Sequence, residues 1–548
     1  MIEVFCKYIC EEFNEIKESH KRYYKESKLS YILTLSTSGF LFLFFFALFI
    51  SLCFFNNSWF AIGGFSSLSQ LLMALLFLCL FFLMHRGLLF FIKKLPFNNI
   101  SFAKGLLISF TFLFTVQMLL VFNIATAVGW DVGVVAGEAI RASQEAPIES
   151  LYLSVFPNNL LLFFILNTVA RLLNLLGFAS YYYWPAFLLL NVLMVDIALL
   201  VSVITVKKLY PSFDRISLLF MFLFFLVGVS PWIIVPYSDT FLMPIISLLI
   251  LSCLLTLEAN SIKKRIVFAF ASGLLFATGW LIKPIIISVA LALFVVGIIF
   301  ISAKNGKQKL LQSGAILLSG GLGVVLAMSL FSLYVYKQNT VILDESIRTP
   351  ASYTVAIGIV EESFGAWNHE AAGLNHGTTE EKHENFVSFI RERLKEYGAL
   401  HYGSFLFSKA RWITSEGNFF WMSEAGGPAE FPNPEGNILR EFMYPNGKWF
   451  SYYLLSANGL WIVIFFGLCM GMLMPCFTGF GKNRLRRNFD LFLCLAVFFS
   501  IFVILFTEGR SRYLISFLPI FCIVSVSGYA YLGQLVKNML KRERKSDC

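Results

Sequence analysis

Charge is scarce in this sequence. Asp, Glu, Lys and Arg together make up 14% of the 548 residues, against roughly 25% in ordinary soluble domains, which excludes a water-soluble globule. The ten cysteines lie in apolar runs or in segments read below as cytoplasmic (Cys6, Cys10, Cys548). None falls in a loop read as external and no CxxC pair occurs, so neither a disulfide framework nor a thiolate metal site is expected. No cleavable signal peptide is expected either, because the first thirty residues are charged rather than apolar. No internal repeat is evident, and no HExxH-type helical pair occurs. His369, His376 and His383 recur every seven residues, but the first two stand in a Gly-rich stretch and read as solvated loop residues.

What fills the chain instead is apolar. It is 58% hydrophobic and 17% aromatic, with a mean hydropathy of +0.74. The net charge of +10 resides in Lys and Arg clustered in short loops between apolar runs. That is the pattern of the positive-inside rule rather than of a nucleic-acid surface, so no nucleic-acid partner is expected. About 20 apolar residues span the hydrocarbon, and by that measure the first three crossings are Tyr31 to Phe55, Leu68 to Phe91 and Leu106 to Val128. The cationic run Lys21 to Lys28 puts the N-terminus inside, and Lys93, Lys94 and Lys104 put the next loop inside, so the loop carrying Asp131 is external.

The segment Phe156 to Leu173 is apolar but short, and it is interrupted by Asn167 and Arg171, with Pro157 at a helix-start position. If it crossed, Lys207 and Lys208 would be delivered outside. It therefore reads as a juxtamembrane or re-entrant helix at the external face. Parity then gives crossings at Trp184 to Val206, Ile216 to Val235, Phe241 to Leu257, Ile266 to Ile282, Ile285 to Ile301 and Ile316 to Tyr336. Three more follow at Tyr453 to Met474, Phe489 to Phe506 and Leu514 to Tyr531.

The expected architecture is an all-α integral membrane protein of the cell membrane, with about twelve transmembrane helices, a juxtamembrane helix and one extracytoplasmic domain. Its parts are a cytoplasmic segment 1–30, a transmembrane core 31–336 with an external loop 129–180, an extracytoplasmic region 337–450, C-terminal spans 451–535 and a cytoplasmic basic tail 536–548. Within the external region, Phe386, Phe389, Ile390 and Leu394 share one face of a helix from Glu380 to Tyr397, with a Thr378–Glu381 capping box and Gly398 as its stop. The Gly/Pro-rich stretch from Gly426 to Gly436 reads as loop.

Four clusters map to the external face. They are Asp131 with Glu138 and Arg141; Tyr237-Ser-Asp239-Thr240; Lys283-Pro284; and Glu508-Gly-Arg510-Ser-Arg512-Tyr513. Cations that neutralise a phosphate beside a carboxylate that can take a proton from a hydroxyl are the inventory for binding a phosphate next to a general base. Each cluster also has a plainer reading. Asp131 can cap the helix that follows, and Asp239 can be a turn residue. Lys283 can snorkel to headgroups, and Arg510 and Arg512 can form exposed ion pairs with Glu508. Asp196, inside an apolar span, must face protein or water and reads as structural.

The order of these elements resembles the GT-C superfamily of membrane glycosyltransferases, in particular its protein O-mannosyltransferase and aminoarabinose-transferase branch and related uncharacterised Gram-positive proteins. The matching stretches are Gly129-Trp-Asp131, Phe156-Pro-Asn-Asn159, Lys207-Lys208, Pro236-Tyr-Ser-Asp239, Gly279-Trp-Leu-Ile-Lys-Pro284 and Arg510-Ser-Arg-Tyr-Leu514 with Pro519. The resemblance implies transfer of a sugar, with inversion, from a polyprenyl-phosphate donor to an extracytoplasmic glycan, lipid or protein. It assigns Asp131 as base and Lys283, Arg510 and Arg512 as holders of the carrier phosphate, with Glu138, Arg141, Tyr237, Asp239, Glu508 and Tyr513 in support. It leaves a divalent cation open. The sequence departs from that pattern in having Val132 where a second acid is usual, and in two spans that precede the expected first one. A lipid-saccharide transporter and a non-catalytic scaffold stand as the alternatives; the first predicts charge through the membrane interior and a pseudo-repeat.

Overall fold

The structure is a computed structural model that describes residues 28–54, 65–94, 101–301, 306–421, 431–477 and 484–546. The N-terminal segment to residue 27 with Cys6 and Cys10, residues 426–430 of the Gly/Pro-rich stretch, Lys304 and Cys548 lie outside the described residues. The chain is helical almost throughout. Three apolar helices open it: α1 (Lys28–Phe54), α2 (Ser67–Lys94) and α3 (Phe102–Ile124). Next come α4 (Asp131–Glu145), the short α5 (Leu151–Val155) and α6 (Leu160–Leu175), then α7 (Tyr183–Leu209) and α8 (Phe213–Leu223). The centre of the chain holds α9 (Ser238–Glu258), α10 (Ile262–Ile282), α11 (Ile287–Ile301) and α12 (Gly306–Lys337).

Eleven helices among the described residues are long and apolar enough to cross a membrane, against about twelve expected: two expected spans drop out and the segment Pro157–Leu175, expected not to cross, joins the count. The expected span Ile216 to Val235 is not one helix. It runs as α8, a π-helical turn at Phe224–Gly228 and a separate 3-10 turn at Pro231–Ile234. Pro231 has no N–H to give to a continuing helix and would clash with the preceding turn. Lys283-Pro284 breaks the chain in the same way between α10 and α11, leaving an apolar helix of Pro284–Ile299 that is short for a crossing.

The segment Pro157–Leu175 counts among the eleven by length and composition, but its polar side chains are used on protein. Asn167 donates to the Ala139 carbonyl at 2.8 Å and Asn174 to the Ser143 carbonyl at 3.1 Å, both on α4. Arg171 reaches Thr340 Oγ1 at 3.1 Å. Asn167 and Asn174 thus hold it across α4, and Arg171 ties it to the start of the 337–449 segment.

The 337–449 segment begins with a two-residue parallel ladder in which Ile148 and Glu149 pair with Val341 and Ile342. It continues through α13 (Ser352–Gly358), α14 (His369–Ala372), α15 (Thr379–Ile413) and α16 (Ile438–Met443). The Thr378–Glu381 capping box forms. Gly398 stands at φ +62°, in the left-handed region, and kinks α15 where its first half was expected to stop. Phe386 packs with Ala356, Ile357, Val360 and Ala371 in a small core of its own. The second half of α15 instead joins the main core, to which Trp412, Ile413 and Trp421 belong.

That main core centres on α17 (Phe450–Met472), which the short α18 (Met474–Phe477) follows, then α19 (Arg484–Phe506) and α20 (Leu518–Ser546). The helix α20 runs on past Tyr531, so the basic tail begins as its continuation. By contrast α2, α3 and α12 expose long apolar side chains such as Leu107, Phe122 and Leu317, which suits a lipid surround.

Candidate functional site

The chain leaves α3 in extended form, reaches Trp130 and turns at once into α4. A Cβ at Gly133 would fall well inside contact distance of the Val128 carbonyl oxygen, so glycine is what lets the new helix start tight against the strand that feeds it. Asp131 is the first residue of that helix. Trp130 occupies the cap position and no side-chain cap bond forms, so the plainer reading of Asp131 as an N-cap fails. Its carboxylate instead accepts from the Tyr237 hydroxyl at 3.2 Å.

Tyr237 sits 3.3 Å from Asn159 Oδ1, and Asn159 donates to the Tyr152 hydroxyl at 2.9 Å. Burial, reinforced by the negative charge of Asp131, raises both phenols well above their ordinary range. They therefore stay protonated and act as donors to the carboxylate.

A second carboxylate joins the cluster. Asp239, on the first turn of α9 and 2% exposed, contacts Lys283 Nζ and lies 3.9 Å from Arg512 Nε. The Lys283 ammonium stands 3.6 Å from the Tyr513 ring centroid, and the Arg512 guanidinium 3.9 Å from that of Trp130. Arg512 thereby joins the Asp239 pair to the residue that precedes Asp131. Burial pulls the Lys283 ammonium down to about 8, with Asp239 opposing the shift. The Ser516 hydroxyl donates to the Asp239 backbone carbonyl at 2.8 Å, which ties α9 to the turn that carries Arg512.

Glu508 accepts from Arg510 Nε at 3.0 Å and from the Tyr513 hydroxyl at 2.8 Å. Tyr353, on α13, packs its ring against Phe156 and Phe386, and burial plus the charges of Glu508 and Asp131 push its phenol up to about 12. The loop is held from the other side by Lys409. Its ammonium is fully buried and donates to the carbonyls of Gly358, Leu505 and Thr507 at 2.7, 3.1 and 2.5 Å. Three N–H groups meet three acceptors, two of them at the otherwise open C-terminal end of α19. The Gly509 N–H adds a bond to the Gly365 carbonyl at 2.6 Å.

Of the residues singled out in the sequence, the structure connects Asp131, Tyr237, Asp239, Lys283, Arg512 and Tyr513 through direct contacts, with Glu508 and Arg510 attached through Tyr513. Glu138 and Arg141 are not part of this set. They pair with each other at 2.5 Å, and Arg141 also donates to the Glu149 carbonyl at 2.8 Å. At about 1.5 Å per residue, α4 carries Glu138 roughly 10 Å and Arg141 roughly 15 Å from Asp131.

An assembly of apolar helices with a polar cluster gathered at one end is an integral membrane protein, and a family model agrees. The model described as "Conserved hypothetical integral membrane protein" matches residues 28–530. The chain belongs to that family. No curated protein and no solved structure matches the chain.

Within this member of the family, sequence reasoning passed over Tyr152, Tyr353, Lys409 and the side-chain role of Asn159. Asn159 had a signal, since Phe156-Pro-Asn-Asn159 stood out as a motif and a buried Asn needs partners. Tyr353 and Lys409 had none, because their neighbours are distant in sequence. Two buried groups near the cations, Trp130 Nε1 and Ser511 Oγ, have no hydrogen-bond partner among the described residues. No group of three or more His, Cys, Asp or Glu side chains that could hold a metal ion gathers among the described residues. Of the tempting histidines, His383 lies 3.0 Å from the Ser352 hydroxyl and His369 packs edge-on to Trp367.

Proposed function

We propose that this protein is a membrane glycosyltransferase of GT-C type that moves a sugar from a polyprenyl-phosphate donor to an extracytoplasmic glycan, lipid or protein. The observation that carries the reading is that Lys283 and Arg512 share one carboxylate, Asp239, while Arg512 stacks on Trp130, the residue before Asp131. Two cations against one anion leave a single positive charge, which matches the single negative charge of a phosphodiester. The unpartnered Trp130 N–H and Ser511 hydroxyl are two further donors for its oxygens.

In this reading the acceptor hydroxyl gives its proton to Asp131 as its oxygen attacks the anomeric carbon. The bond from that carbon to the phosphate oxygen breaks, and the carrier phosphate leaves with the second charge it has gained. Lys283 and Arg512, with Arg510 beside them, neutralise that developing charge. Tyr237 and Tyr152 orient the Asp131 carboxylate. A carboxylate offers about four acceptor sites, so two phenols leave it able to take the acceptor's proton. The site lies at the end of the spans that the charge rule puts outside.

The test is sugar transfer by the purified protein in lipid nanodiscs, with panels of radiolabelled polyprenyl-phosphate sugars and acceptors, comparing wild type with Asp131→Asn. General-base help is worth about 10² to 10⁴ in rate, so the variant is expected to lose at least a hundredfold with donor binding retained. Equal rates in both proteins would refute Asp131 as base. No transfer with any donor, alongside movement of lipid-linked saccharide across vesicles, would replace the enzyme with a transporter.

A further inference from the structure

A second cationic cluster stands at the other end of the same helices. Glu508 and Arg510 follow the C-terminal end of α19, whereas Arg486, Arg487 and Asp490 stand in its first two turns. From Arg486 to Phe506 is 20 residues (506 − 486), which at about 1.5 Å each is about 30 Å, the thickness of the hydrocarbon.

The cluster is built on Tyr210, which ends α7 and is 2% exposed. Its hydroxyl donates to Asp490. The Arg486 guanidinium lies 3.9 Å from the Tyr210 ring centroid, and that of Arg215, from α8, lies 4.2 Å away. Planar guanidinium groups that close cannot share one face of a ring, so Tyr210 is clasped from both sides.

Two of the three surrounding acids are committed elsewhere. Asp214 faces His85 at 3.1 Å and Glu258 faces Lys208 at 3.3 Å. Asp490 is the carboxylate acting on Arg215, with Arg486 a like charge against it. Arg486 Nε and Arg215 Nη1 are buried with no hydrogen-bond partner among the described residues, while both side chains as a whole are only half-buried.

Cations at this membrane face are expected from the charge rule alone. A cation that only sets topology, however, extends into the headgroups. It has no reason to stack on a buried ring, close to a like charge, with an N–H sealed from water. We infer that Arg215 and Arg486, with Tyr210 as their platform, form a binding site for a phosphate ester, that of an anionic phospholipid headgroup on the face opposite Asp131. Half-buried guanidinium forks present bidentate donors to a phosphate, and Phe213, at the start of the helix that carries Arg215, is exposed and adds apolar surface for an acyl chain.

The inference is independent of the chemistry at Asp131, and its test needs no activity. Full-length protein would be reconstituted in phosphatidylcholine nanodiscs containing phosphatidylglycerol, and the co-purifying lipid counted by mass spectrometry. Wild type, Arg215→Gln/Arg486→Gln and Lys263→Gln/Lys264→Gln would be compared, the last pair being exposed lysines at the start of α10. Wild type is expected to enrich the anionic lipid, the arginine pair to lose that enrichment by about tenfold, the worth of one charge-assisted bond, and the lysine pair to keep it.

Arg215→Lys/Arg486→Lys keeps the charge without the stacked fork. It should fall between, and it decides the matter if the glutamine pair fails to fold. Equal enrichment in wild type and the folded arginine variants overturns the site. So does an equal loss in the lysine control, which would mark bulk charge. Inorganic phosphate that raises the unfolding temperature of wild type but not of the variants, without lipid enrichment, overturns the assignment to a lipid.

Discussion

Replacing Asp239 by Asn keeps the shape of the side chain and removes the charge that Lys283 and Arg512 share. Asp239 and Arg512 have side chains 3% and 7% exposed and stand 3.9 Å apart. At that separation an effective dielectric of about 20 gives an attraction of about 4 kcal/mol. Lys283 contacts the same carboxylate from the other side. Removing one partner of a buried ion pair costs about 3–5 kcal/mol, because the stranded charge stays out of water. Asp239→Asn strands two cations and should fall at the upper end.

The assay is reversible unfolding in mixed micelles, with Lys283→Met and the double variant measured alongside. Lys283→Met leaves Asp239 with Arg512 and should cost less. The double variant should recover part of the loss, with a coupling of at least about 2 kcal/mol, within the range seen for residues in direct contact. A cost below about 1 kcal/mol for Asp239→Asn, or additive single effects, would mean the cluster is wet and its charges independent. The proposed phosphate cradle would then lose its physical basis.

Donor binding should depend on pH through Lys283. Its ammonium, pulled down to about 8 by burial, is charged below that value and loses its proton as pH rises through it. Affinity for the anionic donor should therefore hold at pH 7 and drop by about tenfold on the alkaline side, and Lys283→Arg should abolish that limb, since arginine keeps its proton. Gly133→Ala drives a methyl into the Val128 carbonyl and should cost about 1–3 kcal/mol. It should also cut transfer roughly a hundredfold by displacing Asp131, read as kcat against unfolding in the same preparation. Lys409→Met leaves three buried carbonyls unmet, at about 1–3 kcal/mol each before relaxation. Hydrogen exchange at Leu505 to Arg512 should rise in that variant while the Asn159–Ala170 amides keep their protection.

Periodicity and the charge rule made the fold legible wherever one helix meets one span. The apolar runs at Phe241 to Leu257 and Tyr453 to Met474 became α9 and α17 with boundaries shifted by a few residues. They failed at Ile216 to Val235, where hydropathy averages over Ser230-Pro231 and does not register that a proline denies the helix its hydrogen bond. At α6 the Asn and Arg residues mark a face not purely for lipid, and Asn167, Arg171 and Asn174 do bond to protein, while by length and apolarity the helix counts with the spans. Within the candidate site, residues legible from sequence were charges standing where charge is costly, such as Lys283 and Arg512. The illegible ones were Tyr152 and Tyr353, whose aromatic bodies look like core and whose function lies in the hydroxyl.

Glu138 shows the limit of proximity in sequence. With Val132 where a second acid is usual, the sequence leaves Glu138 or a residue from elsewhere in the chain to supply one. Helical rise sends Glu138 away within two turns, while chain topology delivers Asp239 and Glu508 from α9 and from beyond α19. In a bundle whose interior admits few polar groups, a carboxylate is held by whatever the loops at that end supply. The partners of Asp131 are therefore set by which helix ends meet at that face. That rule also predicts where the next functional residue should be sought: on the start of α13, where the charges of Asp131 and Glu508 both act on Tyr353.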